Sequence, residues 1–289
     1  MNKELMDFIT SAMRQAGRFL MEQRIVGDSK FIPGSADINS DLHTEYDKSA
    51  NHYLMDLLLP GFFSILGISE MLVISEEDNP YFVYNNMRKE YSDNIDLYPG
   101  WVLVIDPICG SIPYARGIAD YIVSVGVMEN MSCVASGIYQ PDLGEMFYAE
   151  KGQGAYLNGE RISAMSDIDE LERSFISVEH GVYRKAPIED LQKIANTVMR
   201  LRTAGTCALE MCYVACGRLD GLIKLNQSFY DYLPGSLVML ESNPDNTLVG
   251  LDGKTPIFPL KSLNRKASFI ATNGLITSEL ASFTSSWFV

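Results

Sequence analysis

Residues 101–111 read Trp-Val-Leu-Val-Ile-Asp-Pro-Ile-Cys-Gly-Ser, an apolar run that ends abruptly in an acid and a turn. Such a run is typical of a buried strand that ends at a loop, and loops at strand ends often carry functional sites. Asp106 offers a carboxylate and Ile108 a backbone carbonyl, which are oxygen ligands that Mg²⁺ prefers. If a helix begins after this turn, the backbone N–H groups of Gly110 and Ser111 suit a phosphate oxygen.

Three further acidic residues stand at comparable places in the chain. Asp47 lies at the start of a predicted helix, Glu76 follows a short predicted strand, and Asp231 begins another predicted helix. Each of them alone is more often a solvated loop residue or a helix cap. Together with Asp106, however, the four acids predict a site for a hard cation.

The rest of the chain divides into two halves of different pattern. The first half contains a series of alternating apolar runs that predicts antiparallel hairpins, and the second half alternates strands with helices, which predicts a layered α/β arrangement. We therefore expect two domains, residues 1–155 (α+β) and 156–289 (α/β). The predicted elements are helices 5–20, 45–58, 187–199, 206–217 and 231–241, strands 71–74, 101–105, 121–128, 133–139, 145–149, 175–178, 201–203 and 221–225, and a polar loop 79–98.

Composition narrows the class of function. The 289 residues carry a formal net charge of −14, which argues against binding to a nucleic-acid polymer. No apolar run of about 18 residues and no secretory signal are present, so neither a membrane span nor export is expected. Cys207, Cys212 and Cys216 lie in an apolar stretch without a nearby histidine and are interpreted as free thiols of a buried helix. We expect a cytoplasmic protein whose partner is a small anionic metabolite.

Six segments, in order, resemble motifs of the inositol monophosphatase family. They are Thr44-x-x-Asp47, Ser75-Glu76-Glu77, Asp106-Pro-Ile-Cys-Gly-Ser111, Gly152-x-Gly154-Ala-Tyr-x-Asn158-Gly159, Arg202-Thr-Ala-Gly205-Thr206 with Ala215-Cys-Gly217-Arg-Leu-Asp220, and Tyr230-Asp231. The resemblance implies a five-layered α/β/α/β/α sandwich of the inositol monophosphatase and fructose-bisphosphatase type, and a homodimer. It also implies a Mg²⁺-dependent phosphomonoesterase that acts on a small phosphorylated sugar, polyol or nucleotide.

The resemblance also implies metal ligands. Glu76, Asp106 and the carbonyl of Ile108 would hold a first ion, and Asp106 with Asp231 would contribute to a second. Asp47 would position a further ion or its water. The ions would lower the pKa of a water and neutralise the leaving oxygen.

The remaining roles implied by the resemblance concern the substrate. Ser111 would orient the attacking water, and the N–H groups of Gly110 and Ser111 would hold the phosphate. Gly205 and Thr206 begin the helix that lines the substrate pocket in the family.

Two departures from the family pattern bear on activity. Cys109 occupies the position of an aspartate that binds the second ion, and a thiol is a poor Mg²⁺ ligand. Lys224 stands where inositol-specific relatives carry a glutamate that contacts a substrate hydroxyl. A lysine there, at the mouth of the pocket, would attract a second acidic group of the substrate.

Three interpretations of Cys109 stay open. It is drift in a weak or inactive phosphatase, a ligand of another ion such as Zn²⁺ or Mn²⁺, or a reactive thiolate at a helix N-terminus. Two alternatives to a phosphatase follow. The fold could serve a different reaction that uses Asp106, Cys109, Asp231 and Lys224, or it could be a non-catalytic protein that retains the pocket.

Overall fold

The computed structural model describes residues 3–24, 45–77, 82–85, 88–91, 98–162, 166–259, 262–263 and 266–287. Within these ranges the helices are α1 (Lys3–Gln23), α2 (Glu45–Leu66), α3 (Ser111–Arg116), α4 (His180–Lys185), α5 (Ile188–Thr197), α6 (Cys207–Ala215), α7 (Phe229–Ser242) and α8 (Thr277–Thr284). The strands are β1 (Glu70–Ser75), β2 (Phe82–Asn85), β3 (Arg88–Tyr91), β4 (Trp101–Cys109), β5 (Ile122–Glu129), β6 (Ser132–Gln140), β7 (Glu145–Glu150), β8 (Gly154–Leu157), β9 (Glu160–Arg161), β10 (Phe175–Val178), β11 (Arg200–Arg202), β12 (Gly221–Gln227), β13 (Thr247–Gly250) and β14 (Ala267–Thr272).

The strands form two mixed sheets. The first has nine strands in the order β3-β2-β1-β4-β5-β6-β7-β8-β9, and the second has five in the order β11-β10-β12-β14-β13. In the first sheet β1 and β4 run parallel, whereas β4 to β9 pair antiparallel as the apolar alternation predicts. In the second sheet β10 lies parallel to both β11 and β12, and β14 is antiparallel to its neighbours.

Three buried clusters define five layers. Apolar residues of α1 and α2 pack on one face of the first sheet. Helices α6 and α7 fill the space between the two sheets and bury residues of both. Helices α4, α5 and α8 cover the far face of the second sheet. The order is therefore α/β/α/β/α, and the predicted sandwich is confirmed.

The two helices of the middle layer lie unusually close together. A Cβ atom added to Gly235 of α7 would stand 2.6 Å from Ala208 Cα and 2.7 Å from Ala208 O, both on α6. Only a residue without a side chain fits such an approach. Gly235 follows Asp231 by one helical turn, so this contact lies directly beside the acid that opens α7.

Two predicted boundaries differ from the structure. Helix α2 extends to Leu66 and passes through Pro60, because the last turns bury Phe62, whose ring packs edge-on against Phe8 at 5.7 Å. This burial offsets the backbone hydrogen bond that a proline removes. The predicted loop 79–98 contains β2 and β3, which add a hairpin to the edge of β1 with Val83 opposite Leu72. Phe82, Val83 and Tyr84 favour a strand, but this short signal lies among polar residues and was missed.

The other predicted helices and strands are confirmed to within a few residues of their ends. Thr44 lies outside the described residues. The second sheet begins at Phe175, but the division into domains at residue 155 stays a prediction. Within the described ranges, we find no helix with the length and apolar character needed to cross a bilayer.

Candidate functional site

The parallel pairing of β1 with β4 brings the first two acids together. Ser75 lies opposite Ile105, and the N–H of Glu76 donates to the Ile105 carbonyl at 3.3 Å. Glu76 therefore leaves β1 beside Asp106. The two carboxyl groups interact directly, and burial with the negative charges of Asp106 and Asp231 raises the pKa of Glu76 well above its usual range.

The segment after Asp106 departs from regular pairing. The register of β4 against β5 shifts between Asp106 and Cys109, and the N–H of Ile108 donates to Asp106 Oδ1 at 3.2 Å. Such an irregularity re-aims side chains at the end of a strand. It brings the side chains of Asp106 and Cys109 to the same side, where both are almost completely buried.

Gly110 makes the turn from β4 into α3. Its φ is +95°, and an added Cβ would lie 2.6 Å from Thr206 Cγ2 and 2.7 Å from the Asp120 carbonyl oxygen. Both the positive φ and the lack of space require glycine here. Helix α3 begins at Ser111, so the N–H groups of Gly110 and Ser111 stand at a helix start, as phosphate binding there would require.

Asp231 reaches the same place from the start of α7. It is part of a capping box with Ser228, whose N–H donates to Asp231 Oδ2 at 2.9 Å, and this holds the aspartate in position. Ligand atoms of Asp106, Cys109 and Asp231 all lie within 4.8 Å of one another. Three side chains from two elements, β4 and α7, thus meet at one point.

The electrostatics of this cluster are those of acidic groups crowded together in the interior. Asp106 Oδ2 is buried and accepts no hydrogen bond from the described residues. Burial raises the pKa of Asp106 to about 7, while contacts with Glu76 and Cys109 act in the opposite direction. Burial and the charges of Asp106, Asp231 and Glu76 raise the pKa of the Cys109 thiol well above its usual value. A divalent cation would reverse these shifts, because it stabilises every deprotonated group around it.

Asp47 and Ser111 form a second part of the site. The Ser111 hydroxyl donates to Asp47 Oδ1 at 2.8 Å and lies 3.1 Å from the carbonyl oxygen of Ile108. Asn51, one turn after Asp47 on α2, accepts a hydrogen bond at 2.9 Å from the hydroxyl of Ser75. This bond ties α2 to the end of β1. Sequence reasoning missed Asn51, although its spacing of four from Asp47 places both on one helix face.

The predicted substrate-binding residues Gly205 and Thr206 lie across from the turn at Gly110. Gly205 is exposed with a φ of +89°, and Thr206 is buried against Gly110. The hydroxyl oxygen of Thr206 is buried and has no hydrogen-bond partner among the described residues. The start of α6 therefore closes the site on the side opposite α2.

Lys224 is not at the mouth of a pocket, and that part of the prediction is wrong. Its side chain is 1% exposed and forms an ion pair with Glu210 of α6, which is 0% exposed. Burial is the largest single effect and lowers the pKa of Lys224, but the charge of Glu210 and its hydrogen bond, together with the charges of Cys207 and Glu179, raise the pKa above its usual value. The lysine is therefore a paired internal cation. Sequence reasoning missed Glu210, which also accepts a hydrogen bond from Ser177.

The other thiols behave as interpreted from the sequence. Cys207 and Cys212 are buried, Cys216 is partly buried, and all are free. Over the described part of the chain, the group Asp106, Cys109 and Asp231 is the one cluster of histidine, cysteine or acidic side chains close enough to share an ion.

Comparison with known proteins gives one consistent result. The family model described as "Inositol monophosphatase family" matches residues 1–282. Inositol monophosphatase 1 of Solanum lycopersicum is 34% identical over 223 residues, covering 75% of this chain and 74% of the relative. The fructose-1,6-bisphosphatase/inositol-1-monophosphatase of Thermotoga maritima is 30% identical over 224 residues, covering 74% and 82%.

A solved structure agrees with these sequence matches. The extragenic suppressor protein suhB from Bartonella henselae superimposes with a TM-score of 0.74 at 25% identity, covering 98% of each chain. Fold, motif order and sequence similarity lead to the same assignment. This chain belongs to the inositol monophosphatase family.

Proposed function

We propose that this chain is a metal-dependent phosphomonoesterase that acts on a small phosphorylated metabolite. The observation that carries the proposal is the meeting of Asp106, Cys109 and Asp231 within 4.8 Å, beside the hydrogen-bonded pair of Asp47 and Ser111. Cation ligands and a positioned hydroxyl at the end of a core strand are the parts that phosphate-ester hydrolysis requires.

The residues present fit a hard cation at one position. Glu76 and Asp106 offer carboxylate oxygens, the Ile108 carbonyl belongs to the same turn, and Asp106 Oδ2 is buried without a hydrogen bond from the described residues. These are the ligand types that Mg²⁺ selects. When bound, such an ion lowers the pKa of a water and neutralises the leaving oxygen.

Ser111 and Asp47 are assigned to the attacking water. A hydroxyl has one donor and two lone pairs, and the Ser111 donor is directed to Asp47 Oδ1 at 2.8 Å. The Ser111 oxygen is therefore left as an acceptor for an O–H of a water. A water held in this way can direct a lone pair of its own oxygen at phosphorus. The water oxygen forms the new bond to phosphorus and gives up one proton to Asp47 through the Ser111 hydroxyl, the ester P–O bond breaks, and the leaving oxygen takes a proton from solvent.

The phosphate itself is assigned to the turn that leads into α3. The N–H groups of Gly110 and Ser111 stand at the start of this helix, where N–H groups have no partner within the helix. The contact of Gly110 with Thr206 holds this turn against the start of α6. The phosphate would therefore be held between α3 and the residues Gly205 and Thr206.

The substrate class follows from the relatives. Their names include inositol monophosphatase and fructose-1,6-bisphosphatase, which points to sugar and polyol phosphates for this chain as well. Lys224 is neutralised by Glu210, so a second acidic group on the substrate gains little from it. We therefore expect monophosphates of neutral polyols to be accepted at least as well as bisphosphates.

The test is release of inorganic phosphate from a panel of esters with and without divalent metal. The wild-type protein should hydrolyse at least one sugar, polyol or nucleotide monophosphate in a metal-dependent manner. Asp106→Asn should abolish both this activity and the calorimetric signal of metal binding, since the orphaned carboxylate oxygen is lost. Asp169→Asn, at an exposed aspartate, is the matched control and should change neither. Equal activity of the Asp106→Asn and wild-type proteins would contradict the proposal.

Cys109 favours a second candidate, a family member without phosphatase activity that retains the fold for another role. The replaced oxygen ligand is the specific observation, because a thiol binds Mg²⁺ poorly. Cys109→Asp distinguishes the two candidates. A phosphatase weakened by the thiol should gain Mg²⁺-dependent activity of about a hundredfold, the usual effect of restoring one charge-stabilising group. A protein with another role should gain none.

The homodimer and the cytoplasmic location expected from the sequence stay predictions. Sedimentation of the purified protein and fractionation of expressing cells would test them.

A further inference from the structure

We infer that the position formed by Asp106, Cys109 and Asp231 binds a thiophilic divalent ion, of the Zn²⁺ or Co²⁺ type, through the Cys109 sulfur. The inference rests on the proposed function. It names the ion that binds at one of the two metal positions of the proposed site. Mg²⁺ is left to the all-oxygen position beside Glu76. The site is thereby divided into a hard position and a soft one.

The choice of ion follows from the ligand types. Thiolate sulfur selects Zn²⁺ and related ions, whereas Mg²⁺ requires oxygen in nearly octahedral geometry. Cys109 stands between two carboxylates, so the three side chains supply one sulfur and two oxygens. Mixed sets of three protein ligands with an open fourth position are typical of catalytic zinc sites.

The three ligand atoms are close enough that little movement would bring them to coordination distance of one ion. The three ligand atoms lie within 4.8 Å of one another. Ligands at about 2.0–2.3 Å from a tetrahedral ion are about 3.3–3.7 Å apart, so each atom must move by roughly an ångström or less. Asp231 is held by the capping box with Ser228, and Cys109 is paired with Ile122 at the end of β4.

A second observation, on the carboxylate of Asp106, also points to a ligand. Asp106 is 1% exposed, and its Oδ2 atom is buried without a hydrogen bond from the described residues. An unsatisfied buried carboxylate oxygen is costly unless a cation or donor completes it. On binding, the Cys109 S–H gives its proton to solvent and the sulfur donates an electron pair to the ion.

The experiment is a Co²⁺ titration of the reduced, metal-free protein in a large excess of Mg²⁺. Co²⁺ replaces Zn²⁺ in such sites and gives a sulfur-to-metal charge-transfer absorption only when a thiolate is bound. We expect this absorption to saturate at one equivalent and to be removed by Zn²⁺. Cys109→Ser should lose the absorption, and its Co²⁺ affinity should fall by at least the roughly 10–100-fold seen when an outer partner of a metal ligand is removed.

Cys207→Ser is the matched control. Cys207 is a buried thiol whose pKa is also raised in part by the charge of Asp231, so it is a competing source of a sulfur signal. The absorption should persist in this variant. Cys109→Asp supplies a second variant without the thiol, and circular dichroism verifies that each variant is folded.

Absence of the absorption in the wild-type protein, or its survival in both Cys109 variants, would overturn the inference. The result is separable from the proposed function. Metal-dependent phosphatase activity without the absorption refutes the soft position alone. The absorption without hydrolysis of any ester refutes the phosphatase and leaves the thiolate site standing.

Discussion

Replacement of Lys224 by methionine should strongly destabilise the protein. The Lys224 and Glu210 side chains are 1% and 0% exposed, so this change leaves a carboxylate in the interior without its partner. Breaking a buried pair in this way costs about 3–5 kcal/mol.

This cost converts into a shift in melting temperature. An unfolding entropy of about 2.1 cal/mol/K per residue gives about 0.6 kcal/mol/K for a chain of 289 residues. Lys224→Met should therefore lower the melting temperature by about 5–8 °C. Circular dichroism on heating, supported by urea unfolding, measures the change.

The double variant Glu210→Met with Lys224→Met tests the reason for the loss. It removes both charges, and such replacements are often neutral or stabilising. Ser177 keeps an acceptor, because its hydroxyl lies 3.5 Å from the Arg202 carbonyl oxygen. The double variant should thus be more stable than Lys224→Met alone.

An exposed ion pair provides the control. Lys193 lies 2.9 Å from Asp190 and its side chain is 60% exposed, so Lys193→Met should leave the melting temperature nearly unchanged. The reasoning is refuted if Lys224→Met has the melting temperature of the wild-type protein, or if the double variant is less stable than Lys224→Met.

Three further predictions concern the turn at the site, a distant turn and the water-positioning pair. Gly110→Ala should abolish phosphate release and should destabilise the protein by more than the about 1–2 kcal/mol that a positive φ costs. Gly144→Ala, with a similar φ but open space around it, should cost only that strain, and equal losses in urea unfolding would contradict the clash at Gly110. Glu241→Ala should lower the free energy of unfolding by about 1–3 kcal/mol, because two backbone N–H groups of the β7–β8 turn donate to this carboxylate at 2.9 and 3.1 Å. Unchanged urea unfolding would contradict this role of Glu241. Ser111→Ala and Asp47→Asn should each lower kcat by about a hundredfold. Because the two side chains act as one unit, the double variant should lose little more than either single variant, and additive losses in steady-state kinetics would show that their roles are separate.

The positions of Glu76 and Asp106 could be predicted because apolar runs mark the strands that they follow. Asp231 was predicted at a helix start, and its capping box with Ser228 is a local feature of the same kind. The pairing of Lys224 with Glu210 could not be predicted. It depends on how α6 lies across β12, and no local pattern encodes that packing.

The same distinction explains the two errors in the fold. β2 pairs with β1 and β3 pairs with β2, so these short strands are held by backbone pairing at the sheet edge, and the strand-favouring residues of β2 are too few to stand out from the polar segment around them. Helix α2 continues through Pro60 because Phe62 and Phe8 pack together, which is a tertiary contact. Burial of an aromatic ring therefore outweighs the tendency of a proline to end a helix.

The close approach of α7 to α6 at Gly235 has a consequence for where this protein tolerates substitution. The first turns of α7, which carry Asp231, are seated against α6 at a residue without a side chain, one turn after the acid. A larger residue at Gly235 would push α7 away from α6, because an added Cβ meets backbone atoms of Ala208 that cannot give way. A substitution in the interior can therefore displace Asp231 without contacting it.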